Sequence, residues 1–198
     1  MDKRIMAIEP FLLEKLPQKT VLQILKQAQI RLKEIRSENQ NLPKSAQFHT
    51  NGIFPRIALY QTIQEWMTKE QALEIIQDQM WGACIKTGEK ISAITKHRYL
   101  RGPLLRVFAL MTQKLFGASA GFQLSFIAKS DRELRFDITR CPYNDFFTRY
   151  GCPELTCVSC KADEYSYGSL PGIVFARTET LGCGGKCCDF HIYKENAK

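Results

Sequence analysis

The apolar pattern of this chain changes period once, near residue 118, and that change sets its fold class. Before it, apolar residues recur at spacings of three and four. Val21, Leu22, Leu25, Ala28, Leu32 and Ile35 do so between Thr20 and about Glu38, with charges on the other face. That is the stripe of an amphipathic helix. Asn39 to Thr50 is polar, contains Pro43 and reads as a loop. Ile57 to Met67 reads as a second helix. Thr68, three residues before Gln71, predicts a capping box that opens a third. This one carries Ala72, Leu73, Ile75, Ile76, Met80 and Trp81 and extends past Cys84. Pro103 suits the first turn of a fourth helix, which runs through Leu105, Phe108 and Leu115 to Gly117.

Beyond Gly117 the period becomes two. Phe122, Leu124, Phe126 and Ala128 alternate with polar residues, and after Ser130-Asp131 so do Leu134, Phe136 and Ile138. A hairpin with one buried face follows. Pro142 to Tyr150 reads as a short helix stopped by Gly151, and Pro153 to about Tyr167 as another. Ile173 to Leu181 and Cys187 to Tyr193 read as a second strand pair around Gly184-Gly185. The expectation is α+β in a single domain spanning 1–198. A helical N-terminal half (1–118) packs on an antiparallel sheet of about four strands, with short helices inserted between the two strand pairs. Residues 119–198 form the cysteine-rich part that carries the site.

Composition narrows the function. With 198 residues, 44% hydrophobic and 24% charged, the chain can bury an ordinary core. No window approaches the roughly 18 apolar residues that span a bilayer, so no membrane partner is expected. Asp2, Lys3, Arg4, Glu9 and Glu14 interrupt the apolar N-terminus, which is not the pattern of a signal peptide. A cytoplasmic protein with reduced thiols is therefore expected. The net charge of +8 comes without a helix-turn-helix, RNA-binding sheet or paired zinc-finger motif, so nucleic acid is not an expected partner. The excess reads as solvated helix faces, or as a field that draws in a small anion such as a carboxylate. The amphipathic helices could form a homodimer face.

Seven of the eight cysteines lie between Cys141 and Cys188. Thiols this dense point to a reactive or metal site more than to a disulfide framework in such a chain. Cys160, Asp163, Glu164 and Tyr167 share one helix face at i, i+3, i+4 and i+7. A thiol beside a carboxylate can serve as nucleophile and proton acceptor, or as ligand and base. Cys188 shares the inward face of the last strand with Phe190 and Ile192, and Cys141 ends the first hairpin. Cys141, Cys160 and Cys188 could converge beneath one pocket. With Asp163 or His191 they could also hold zinc, although His191 falls on the opposite strand face. Cys152-x4-Cys157-x2-Cys160, with Cys183 or Cys187, has the spacing of a plant-type iron–sulfur cluster. Cys84 and Cys183 read as packing residues, and His49 and His97 as surface histidines.

Thr139-Arg140-Cys141-Pro142-Tyr143, Cys160-x2-Asp163, Phe175-x-Arg177-Thr178-x-Thr180-Leu181 and Gly185-x2-Cys188-Asp189-Phe190 occur in that order. Together they resemble the L-2-amino-thiazoline-4-carboxylate hydrolase family over roughly Phe54 to Tyr193. The resemblance implies a hydrolase that opens a five-membered cyclic isothiourea carboxylate to a carbamoyl-cysteine. Cys160 would then be the first choice as nucleophile and Cys188 the second, with Asp163 as base and Cys141 beside them. Asp163 could instead activate water directly. Arg140, Arg177 and Thr178 are the candidates for holding the substrate. The Gly-x2-Cys-x-Phe strand also resembles vinyl-reductase-type ligand-binding domains. A non-catalytic small-molecule or metal sensor and an iron–sulfur protein therefore stand as alternatives.

Overall fold

The structure, a computed structural model, describes residues 1–195. Two short helices, α1 (Lys3–Met6) and α2 (Glu9–Leu13), lead into α3 (Gln18–Glu38). Along α3 the buried stripe is Val21, Ile24, Leu25, Ala28, Leu32 and Ile35. Leu22 points to solvent, and Ile24 takes the place expected for it. The next helix, α4 (Gln47–Ile63), begins ten residues before the expected Ile57 and runs through Pro55. A proline inside a helix removes one hydrogen bond and costs about 3 kcal/mol. Here packing offsets that cost, because α4 is buried nearly all round, from His49 and Ile53 to Leu59 and Ile63. A helix without a polar face leaves no 3.6-residue stripe to read.

Thr68 and Gln71 form the expected capping box of α5 (Lys69–Thr95): the Gln71 N–H donates to Thr68 Oγ1, and Gln71 Oε1 accepts from the Thr68 N–H. Helix α6 (Arg101–Leu115) precedes the sheet. The strands are β1 (Gln123–Lys129), β2 (Glu133–Arg140), β3 (Ile173–Ala176) and β4 (Cys188–Lys194), all antiparallel, in the order β1-β2-β4-β3. Between β2 and β3 lie α7 (Pro142–Arg149) and α8 (Glu154–Tyr167). The fold is α+β, with helices in the N-terminal half and a four-stranded sheet in the C-terminal half. Among the described residues no helix is long and apolar enough to cross a membrane.

Register fixes the inner face. Leu134, Phe136 and Ile138 stand opposite Ile192, Phe190 and Cys188. Ala109, Phe108 and Phe116 of the α6 segment pack on that face, while the alternate residues Arg135, Asp137 and His191 face away. Helix α8 packs against α5 rather than on solvent. A side chain at Gly88 would come within 2.6 Å of the Tyr165 carbonyl oxygen, so glycine there lets the two helix backbones approach.

The second strand pair differs from expectation. It is not a hairpin turning at Gly184-Gly185, because β3 stops at Ala176. The Asp189 carboxylate accepts the Thr178 N–H at 2.9 Å, the Glu179 N–H at 2.8 Å and the Thr178 hydroxyl at 2.6 Å. Those bonds draw the chain out of the ladder and turn it back over α8 as a single 3-10 turn, Leu181–Cys183.

Candidate active site

Helix α8, β4, the β2–α7 junction, the middle of α4 and α5, and Arg177 just past β3 line a cavity of about 210 Å³. The volume is below the roughly 300–1,000 Å³ typical of drug-sized ligand sites, so it suits a small metabolite. Its walls bring together Cys141, Cys160, Cys188, Asp163 and Arg177, which the sequence reading grouped. It excludes two others of that set. Arg140 is 60% exposed and ion-paired with Asp145, and the Thr178 hydroxyl is bound to Asp189.

Cys160 stands on α8 with the Cys188 thiol, the Thr180 hydroxyl and the Gly182 N–H near its sulfur, all three favouring its thiolate. The Cys188 bond contributes most, burial opposes it, and the thiol is lowered to about 7. Cys188 is pushed up by the same bond and by burial, so it keeps the proton and donates it. The Leu181 N–H in turn donates to Cys188 Sγ at 3.3 Å. Cys183 N–H donates to Thr180 Oγ1 at 3.2 Å, leaving the Thr180 hydroxyl hydrogen for Cys160. Cys141 is different. Burial pushes its thiol up to about 11, against the N–H groups of Asn144 and Tyr143 at the start of α7. It is a neutral thiol in the wall.

Asp163 lies one turn along α8 from Cys160. Burial raises its carboxyl to about 6, and Arg177 pulls it in the opposite direction. Arg177 Nη1 donates to Asp163 Oδ2 at 2.8 Å and Nη2 to the Cys160 carbonyl at 2.8 Å. The guanidinium lies 5.5 Å from the Phe175 ring centre and 5.2 Å from that of Phe190. Arg177, one residue past the end of β3, is thus a buried partner of Asp163.

The donor turn is fastened to α8. Cys157 and Cys183 form a disulfide, which corrects the expectation of reduced thiols for this pair. It also removes both from the plant-type iron–sulfur set. Among the described residues no three His, Cys, Asp or Glu side chains are placed to hold one metal ion. His191 is bound to Glu133 at 3.0 Å on the outer sheet face. Gly182 fits the turn against α8 with no room to spare, since a Cβ there would fall 2.7 Å from the Thr156 backbone carbon. Reduction, or Cys157→Ser, is expected to lower stability by about 3–4 kcal/mol for a loop of this length. A melting scan with and without reductant measures it, and an unchanged melting temperature refutes it. Thr180→Val removes one donor to Cys160. The pH profile of Cys160 alkylation by iodoacetamide is therefore expected to move to higher pH in this variant.

Other residues at the cavity, or packed behind its wall against Phe116, Phe122 and Tyr143, escaped sequence reading. His49 is not on the surface but 1% exposed. Its Nε2–H donates to the Leu115 carbonyl at 2.9 Å, which leaves Nδ1 facing the Tyr143 hydroxyl at 3.4 Å. Arg56, Tyr143, Met80 and Cys84 line the cavity. The available signal for Arg56 was a lone charge inside the apolar run Ile53 to Tyr60. Nothing in the sequence marked Thr180 or Gly182 as donors.

The model of the L-2-amino-thiazoline-4-carboxylic acid hydrolase family matches residues 47–192. No curated protein and no solved structure matches the chain. The matched span runs from the first residue of α4 into β4 and includes every residue of the cavity wall. It covers well over half of the sequence, and the chain belongs to the L-2-amino-thiazoline-4-carboxylic acid hydrolase family.

Proposed function

We propose that this protein opens a small cyclic amidine carboxylate of the 2-aminothiazoline type with water, using Cys160 as nucleophile and Asp163 as base. The observation that carries this reading is a cavity whose wall sets the Cys160 thiol one helical turn from the Asp163 carboxylate, which Arg177 Nη1 holds at 2.8 Å. Near neutral pH both groups are in the forms the chemistry needs, a thiolate and a basic carboxylate.

The Cys160 thiolate adds to the ring carbon between nitrogen and sulfur. The C=N electron pair moves onto nitrogen, which takes a proton from bulk water. The ring C–S bond then breaks with its pair on the substrate sulfur, and an isothiourea remains bonded to Cys160 Sγ. Asp163 takes a proton from water as its oxygen adds to that carbon, and passes it to the nitrogen that receives the C=N pair. The bond to Cys160 breaks, its pair returns to Sγ, the added hydroxyl gives its proton to bulk water, and the product keeps a carbamoyl group on nitrogen. The three donors around Cys160 stabilise its thiolate before attack and as leaving group. Arg177 fixes Asp163 through Oδ2 and leaves Oδ1 for the water.

The test is turnover of 2-amino-thiazoline-4-carboxylate followed by mass spectrometry. The expected product is the substrate plus one water, with its ring sulfur released as a thiol. No product across the neutral and mildly alkaline range would sink the reading.

A further inference from the structure

The cavity holds a second guanidinium that this mechanism does not use. Arg56, on α4, folds back along its own helix so that Nη1 donates to the Gly52 carbonyl at 3.1 Å. A side chain at residue 52 would begin 3.1 Å from that Nη1 and 4.0 Å from Tyr143 Oη. Glycine there leaves the guanidinium its space. Arg177 has two carboxylates, Asp163 and Glu164. Arg56 has none among the described residues: the charges that act on it come from Tyr143, Cys84 and Arg4. A guanidinium offers five N–H donors, and the protein accepts one of these from Arg56. Partly burying a cation without a counter-charge still costs free energy, and desolvation lowers the Arg56 pKa from its ordinary value. The planar fork matches a carboxylate in two-pronged contact.

We propose that Arg56 is the anion subsite of this cavity and takes the carboxylate of the ring substrate, with the Tyr143 hydroxyl bounding it. The ligand class is a small ring carboxylate that places its carboxylate at the Arg56 end and its reacting carbon at the Cys160 end. The inference rests on the hydrolase reading for the identity of the ring, but not for the charge. It replaces Arg140 and Arg177 as the carboxylate holder, since both already have acidic partners.

The test uses a ring that cannot turn over. Binding of thiazolidine-4-carboxylate and of carboxylate-free thiazolidine is measured by calorimetry on the native protein and on Arg56→Gln and Arg56→Lys. The native protein is expected to bind the carboxylate roughly tenfold to a hundredfold more tightly than the carboxylate-free ring, the value of a charge-assisted contact. Arg56→Gln should lose that preference and keep its affinity for the carboxylate-free ring, and Arg56→Lys should keep part of the preference. Equal binding of the two rings by the native protein, no binding of either at millimolar concentration, or an undiminished preference in Arg56→Gln would overturn the assignment. The native comparison stands even if a variant does not fold. Turnover separates the two readings. A protein that prefers the carboxylate but never hydrolyses the thiazoline keeps Arg56 and loses the hydrolase. One that hydrolyses rings with and without the carboxylate equally well keeps the hydrolase and loses Arg56.

Discussion

Cys160→Ser is expected to lose roughly a thousandfold or more in turnover of the thiazoline carboxylate while melting close to the native temperature. A serine hydroxyl can still accept the bonds that now reach the thiol, from Cys188, Thr180 and the Gly182 N–H. It cannot become an anion near neutral pH, so the packing stays and the nucleophile goes. Cys141→Ser is the control. That thiol is pushed up to about 11, stays protonated, and should cost little. A Cys160→Ser protein with full turnover would move the chemistry to water activated directly by Asp163. Asp163→Asn separates the two steps: attack by Cys160 remains, hydrolysis of the adduct slows, and the intact mass should rise by one substrate.

The same pair of groups sets the pH dependence. Cys160, lowered to about 7, must be deprotonated, and Asp163, raised to about 6, must be too. Turnover is therefore expected to fall as pH drops through 7 and to fall more steeply below 6. Initial rates across that range check it. A flat profile would rule out both assignments.

Residue periodicity made much of this fold legible. The Thr68–Gln71 cap, the β1–β2 hairpin and the inward Cys188–Phe190–Ile192 face could be read because each element has one wet and one dry side. Helix α4 could not, because burial on all sides erases the stripe, and its early start hid Arg56 and His49. For the site, helical spacing placed Cys160 with Asp163, and strand alternation turned Cys188 inward. The donors came from the turn at Leu181–Cys183, whose path depends on Asp189 capturing Thr178 and Glu179 and on the Cys157–Cys183 bond. These are contacts across ten or more residues, which no local period encodes. Thr178 shows the limit well. Its place in the family pattern suggested substrate contact, whereas its hydroxyl shapes the loop that carries Thr180 to Cys160.

Arg177→Met is expected to be the most destabilising single change at this site, by about 3–4 kcal/mol at neutral pH, or about 10 °C in melting temperature for a chain of this size. Methionine can refill the slot between Phe175 and Phe190, so the loss is mainly one of charge. The Arg177 side chain is 4% exposed and that of Asp163 34%, which places the effect toward the lower end for a broken buried pair. Without Arg177 the Asp163 carboxyl, already raised from 3.8 to about 6 by burial, rises further. A carboxyl whose folded pKa lies above its unfolded value makes the folded state bind its proton more tightly. Stability from this group is therefore lost as pH rises between the two values. In Arg177→Met that window extends upward, so the gap in melting temperature to the native protein should be widest above the variant's raised pKa, narrow as pH falls toward about 6, and stay constant below it. Adding Asp163→Asn to Arg177→Met removes the stranded charge. The double variant should recover stability at neutral pH without recovering turnover. A gap that does not change with pH would mean that Arg177 acts through its contacts with Phe175, Phe190 and the Cys160 carbonyl, and that Asp163 does not depend on it for its charge.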